Sequence, residues 1–223
     1  MSIAENLDKI RNSIPEGVKL VAVSKTKPVE DIKEAYNCGI RDFGENKVQE
    51  LLTKYDEFGE DVRWHLIGHL QVNKVKYIVG KVFLIHSLDS VKLLKELEKR
   101  YSKQNLYADA LIEINIGREE SKSGILLEDL DELISECEKC SNVRIKGLMT
   151  VIPIGDEESN KKYFSQMKSL FEKLKSMNLK NVEMKYLSMG MTGDYKTAIL
   201  EGANIVRIGQ GIFGKRNYTI NNI

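Results

Sequence analysis

Lys25 closes an apolar run, VKLVAVSKTKP at residues 18–28. Strand alternation puts Val21, Val23 and Lys25 on one face and Leu20, Ala22 and Ser24 on the other, so a face carrying two valines also delivers an ammonium. Desolvation disfavours a charged amine, and the neutral amine is the species that condenses with an aldehyde. Taken alone, Lys25 is better explained as a strand end pointing to solvent, as most lysines do. The far end of the chain gives it a role.

Two glycine-rich segments stand there, LSMGMTGD at 187–194 and VRIGQGIFG at 206–214, each following one of the last two expected strands. In a barrel of parallel strands the loops after strands seven and eight are the usual phosphate site, because glycines let backbone N–H groups approach the anion. Ser188 and Thr192 can add hydroxyl donors. Arg207 shares a strand face with Ile205 and Gly209, and an arginine inside a barrel needs either a carboxylate or a ligand acceptor such as a ring nitrogen. Lys25 on strand one and Arg207 on strand eight become neighbours once a barrel closes. Amine, guanidinium and phosphate cradle together describe a pyridoxal 5′-phosphate site. Gly209, Gly211 and Gly214 also spell G-x-G-x-x-G, but a dinucleotide fingerprint belongs to the first βα unit and needs an acidic residue about twenty positions later.

The elements that must position these residues alternate along the chain. Ile3, Leu7, Ile10 and Ile14 lie at helical spacing ahead of the first strand. Strands are then expected at 40–44, 64–68, 82–86, 108–116, 144–149, 182–188 and 204–209, with a helical segment between successive strands, including one at 72–79 and a short one at 194–202. Eight strands without a Pro/Gly/Ser-rich linker predict one domain over residues 1–223, a (β/α)₈ barrel with an extra N-terminal helix; an open doubly wound sheet is the alternative.

Composition excludes several classes. The 223 residues are 42% hydrophobic and 30% charged, with a formal net charge of +1, which speaks against nucleic acid or an anionic membrane as a main partner. The start, MSIAENLDKI, lacks a basic n-region and an apolar h-region, and no run approaches a membrane span. Three cysteines give no disulfide framework, so a cytoplasmic protein is expected.

At these residues the chain resembles the pyridoxal phosphate homeostasis protein family, also called the proline synthase co-transcribed family, relatives of the alanine racemase barrel. The resemblance runs through AVSKTKP at 22–28, FGENKVQE at 43–50, WHLIGHLQVNK at 64–74, INIGREESKSG at 114–124, GLMT at 147–150 and both glycine-rich segments. It implies a fold-type III barrel carrying the cofactor as a Schiff base on Lys25, with Arg207 at the pyridine nitrogen and phosphate contacts from the segments of Ser188, Thr192 and Gly209. Many members have a small hydroxyl residue and alanine where this chain has Gln210 and Gly211, which leaves Gln210 in the phosphate region through its backbone. The implied function is carriage of pyridoxal phosphate in vitamin B6 homeostasis, with cofactor-accepting client enzymes as partners.

Weaker candidates have plainer explanations beside them. Asn46, just past the second strand, faces the barrel mouth or caps a helix. Met149 and Asn115, at the ends of strands six and five, stand at the active face of the barrel or only pack beneath the cofactor. The loop at 117–124, with Lys122, is a lid or a solvated loop. His65 and His69 straddle a strand end, which makes a zinc pair unsuitable and His65 a core residue. Cys137 and Cys140 form C-x-x-C late in a helix without further ligands. Two rival functions remain: an amino-acid racemase, which needs a second base such as Tyr186 or Tyr195 opposite the lysine, and a phosphate-metabolite barrel enzyme such as an isomerase, using Glu45 or Glu113.

Overall fold

The computed structural model describes residues 2–214; residues 1 and 215–223 of the expected domain lie outside the described residues. Eight parallel strands close into a barrel in sequence order: β1 (Lys19–Val23), β2 (Asp42–Glu45), β3 (Arg63–Leu66), β4 (Leu84–Leu88), β5 (Ala108–Glu113), β6 (Val143–Met149), β7 (Val182–Ser188) and β8 (Ile205–Ile208). Closure pairs β1 with β8, with Val21 opposite Arg207. The open-sheet alternative is thereby set aside.

Helices cover the outside: α1 (Ile3–Arg11), α2 (Val29–Asn37), α3 (Val48–Tyr55), α4 (Val91–Ser102), α5 (Leu130–Glu138), α6 (Glu157–Ser176), α7 (Tyr195–Leu200) and α8 (Gln210–Phe213). The N-terminal helix is present and opens with a capping box, in which Ser2 accepts from the Glu5 N–H and Glu5 accepts from the Ser2 N–H. It ends at Arg11, so Ile14 packs from the following turn. The Asn6 amide reaches the carbonyl of Ile212 at 2.9 Å, which seats α1 against α8.

Alternation along each strand separates two apolar layers. Ala22, Phe43, Leu66, Ile85 and Ile112 face outward into the core under the helices. Val21, Leu84, Leu111, Met149 and Ile205 meet inside the barrel, where Tyr186 packs against them. On the β6–β7 side the register slips between Ile145 and Gly147. Gly147 sits at φ +142°, and a Cβ there would fall 1.8 Å from the carbonyl oxygen of Tyr186. Only glycine allows those backbones to approach so closely.

Several boundaries differ from expectation. The helical segment expected at 72–79 is a 3₁₀ turn, Val72–Tyr77. The strand expected at 82–86 starts at Leu84, and the one expected through 116 ends at Glu113, beyond which Ile114 makes an isolated bridge to Ile125.

Candidate functional site

β1 ends at Val23, so Lys25 lies in the turn just past the strand. The Lys27 N–H donates to the Ser24 carbonyl at 3.0 Å, closing that turn around Lys25 and Thr26. Thr26 has φ +63°, an outlier for a β-branched residue that persists only when its surroundings hold it. The surroundings are visible. Glu50 accepts the Thr26 N–H, and the Lys54 ammonium donates to the Ser24 carbonyl at 2.9 Å, to Glu50 at 2.7 Å and to Glu45 at 2.8 Å. The Ser24 hydroxyl donates to Glu45 at 2.6 Å. Glu45 therefore points out of the barrel into a sealed ion pair, with its carboxyl raised by burial against the pull of Lys54.

Lys25 shares the wall of a small cleft with Val23, Lys27, Gly209, Gln210 and Gly214. Lys27 is turned to another task, donating to the Phe213 carbonyl at 2.7 Å at the end of α8. A Cβ on Gly209 would lie 3.2 Å from the carbonyl oxygen of Val23, so the missing side chain keeps the first turn of α8 close to the end of β1. Gln210 begins α8 and is exposed. The exposed Thr192 accepts the Gly211 N–H on its hydroxyl at 3.2 Å, which ties the two glycine-rich loops together.

Arg207 points into the barrel and is 3% exposed. Its Nη1 donates to the Ser188 hydroxyl at 2.7 Å and its Nη2 to the Thr150 carbonyl at 2.8 Å. Among the described residues no carboxylate forms an ion pair with it, and burial lowers its pKa to about 10 with Glu113 and Asp194 opposing. A guanidinium has five N–H bonds, so these two contacts do not use all of its donors.

Behind Arg207 runs a buried polar chain. Ser188 Oγ meets His86 Nδ1 at 3.0 Å, His86 Nε2 meets His65 Nδ1 at 2.9 Å, and His65 Nε2 meets Asp42 Oδ1 at 2.9 Å. Asp42 takes a two-pronged contact from Arg63 at 2.8 and 2.6 Å. Burial would raise the Asp42 carboxyl, yet the bonds from Arg63 and His65 hold it well below the usual range. Burial pushes both imidazoles down, His86 furthest. His65 is indeed in the core, but its partners make it one link in this chain.

The weaker candidates separate. Met149 is fully buried in the inner layer on the floor of the mouth. The N-cap of α3 is Lys47, so Asn46 precedes the cap, and its carbonyl is packed against Gly68. Asn115 folds its own loop, donating to the Glu119 carbonyl at 2.8 Å and accepting the Glu119 N–H at 3.1 Å. The Tyr195 hydroxyl shares a 2.7 Å hydrogen bond with Ser13, and Tyr186 packs on the inner layer. Cys137 and Cys140 are buried free thiols, that of Cys140 pushed up to about 11, and no metal-binding group of His, Cys, Asp or Glu occurs among the described residues. His86, Thr150, Glu50 and Lys54 were not foreseen; inward alternation at His86 is the one signal that could have found any of them.

The profile of the family described as alanine racemase, N-terminal domain, matches residues 1–217. The pyridoxal phosphate homeostasis protein of Aquifex aeolicus is 48% identical over 202 residues, covering 90% of this chain and 88% of that protein. That of Pasteurella multocida is 40% identical, covering 98% and 100%. Among solved structures, PipY of Synechococcus elongatus with pyridoxal phosphate bound superposes with a TM-score of 0.88 at 33% identity, covering 96% of this chain and all of that one. Alanine racemase of Clostridium difficile, at 17% identity and a TM-score of 0.78, shares the fold; this chain spans 58% of it. Closed barrel, lysine turn and buried arginine thus coincide with full-length similarity, and the chain belongs to the pyridoxal phosphate homeostasis protein family within the alanine racemase N-terminal domain fold.

Proposed function

We propose that this chain, as one domain, binds pyridoxal 5′-phosphate reversibly and carries it for vitamin B6 homeostasis, with client apoenzymes as acceptors. The observation that carries the reading is Arg207: a buried guanidinium held by two neutral acceptors and not using all its donors, on the strand next to β1, which leads to Lys25. The relatives named for pyridoxal phosphate homeostasis and the PipY structure with the cofactor bound support it.

The residues present fit that group. Lys25 would provide the amine for condensation with its aldehyde, with loss of one water. Arg207 meets the ring nitrogen, and as a lasting cation it disfavours protonation there. Backbone N–H groups at Gly209 and Gln210, with the Thr192 segment, would receive the phosphate. Met149, buried in the inner layer, and Asn46, just past β2, would help to hold the ring. When bound, the group supplies an electrophilic aldehyde on an electron-withdrawing ring. The protein holds and releases it; the Tyr195 hydroxyl is engaged with Ser13 and supplies no second base for racemisation. No helix among the described residues is long and apolar enough to cross a membrane, and the three free cysteines fit a reducing cytoplasm.

The test is mass spectrometry of protein reduced with borohydride. One cofactor mass on the peptide of Lys25, absent in Lys25→Ala, is expected; a label on Lys27 would overturn the assignment.

A further inference from the structure

We infer that His86, backed by His65, is a positioning residue that fixes the direction of the hydrogen bonds at Ser188 and thereby aims Arg207 at the barrel mouth. The inference rests on the reading of Arg207 as a ligand-facing group and extends it to residues that no ligand touches.

Direction follows from the far end. Asp42 is an acceptor, held ionised by Arg63, so the His65 nitrogen facing it, Nε2, carries the proton. A neutral imidazole has one N–H, which makes His65 Nδ1 an acceptor and requires His86 Nε2 to donate to it. His86 Nδ1 is then an acceptor, and only the Ser188 hydroxyl is there to donate. Ser188 in turn accepts from Arg207, which cannot accept at all. Every bond runs the same way, from a cation at the mouth to an anion at the floor. Burial opposes a second proton on either ring; at His65 it outweighs the pull of Asp42, with Arg63 and Lys19 on its side, and at His86 the neighbouring His65 and Arg207 add to it.

The opposite direction fails at Asp42. It would turn a bare imidazole nitrogen toward a carboxylate, or demand an imidazolium inside the barrel. A consequence follows for Ser188. Its only proton is committed inward, so its hydroxyl holds Arg207 and cannot also donate to a phosphate, which falls to the neighbouring backbone and to Thr192.

The first measurement needs no cofactor. The chain has three histidines, so ¹⁵N spectra of histidine-labelled apoprotein resolve them. Both His65 and His86 are expected as the Nε2–H tautomer; an Nδ1–H proton on His86 overturns the inference. The second uses replacements that keep one ring position each. His86→Asn keeps an acceptor where Nδ1 stands, whereas His86→Gln places its polar end where Nε2 stands. In cofactor-loaded protein, His86→Asn should absorb like the parent, while His86→Gln and Ser188→Ala should shift the band in the direction seen for Arg207→Gln and retain the cofactor. Cofactor loss in Ser188→Ala without a band shift would make Ser188 a phosphate ligand and refute the inference. Ser188→Ala deletes a single oxygen, so it serves where a His86 variant does not fold. Failure of the parent to take up cofactor would count against the proposed function alone, because the tautomers are read without it.

Discussion

The Lys54 ammonium lies 2.9 Å from the carbonyl oxygen of Ser24, the residue before Lys25. On the other side of Lys25, the Thr26 N–H is taken by Glu50, which Lys54 also holds. One helix, α3, thus grips the lysine turn from both sides and stabilises a backbone conformation that a threonine otherwise avoids.

Lys54→Met should therefore act twice. It leaves Glu45 buried without its cation, at a cost of about 3 kcal/mol or more, measurable by urea unfolding. It also frees the turn, so borohydride trapping at Lys25 should slow. The double variant Glu45→Gln/Lys54→Met should recover much of the stability and none of the trapping rate, because the Ser24 contact is still missing.

Arg207→Gln should change the absorbance of the bound cofactor more than its retention, since the glycine loops provide most of the anchoring. Equilibrium dialysis alongside visible spectra checks this. Cofactor loss as complete as in Lys25→Ala, from a barrel that is still folded, would contradict it.

Glu113 gives the fold a pH dependence. It is buried at the end of β5 with Oε2 lacking a partner, and its carboxyl is pushed up to about 7 by burial, with Asp89 adding and Arg207 opposing. A carboxyl raised in the folded state is protonated in both states well below its ordinary value of 4.5, so it costs nothing there. As pH rises from that value toward 7 the unfolded chain ionises first, and stability falls, then levels. Glu113→Gln should remove that slope and stabilise the protein by roughly 3 kcal/mol at most at about pH 8, with little change at about pH 4. Urea midpoints across pH test the sign.

Loaded protein given alanine should exchange cofactor slowly and show no racemisation at ordinary enzyme rates, on the order of 1 to 10³ per second. Tyr195→Phe should leave that behaviour unchanged and cost only the Ser13 hydrogen bond. Steady turnover lost in Tyr195→Phe would name the missing base and defeat the carrier reading.

The sequence shows strands most clearly where one face is polar. β7 was expected at 182–188 and is Val182–Ser188, because the exposed Glu183 and Lys185 alternate with the buried Val182 and Met184. Val72, Val75 and Ile78 recur every three residues, a spacing that fits a 3₁₀ turn as well as an α-helix, and the shorter element formed. Phe83 looks like strand but is 40% exposed, packing its ring near His65 ahead of β4. In the site, the pairing of β1 with β8, which sets Val21 opposite Arg207, follows from closure. The pairing of His65 with His86 does not, since it depends on strand stagger, which no residue type encodes. Lys54 reads as one more surface lysine on an amphipathic helix until α3 is docked.

Gly147 sets a limit on how this barrel can vary. Every missense change at a glycine codon adds at least one carbon, and the nearest atom to that carbon would be a backbone oxygen that cannot rotate away. In a saturation library, position 147 should be intolerant of all nineteen alternatives alike, irrespective of charge or size, whereas the neighbouring Leu148 should admit other apolar residues. Such a flat profile belongs to a chain crossing, and it would calibrate how much of any loss at Lys25 or Arg207 is chemistry and how much is collapse of the scaffold.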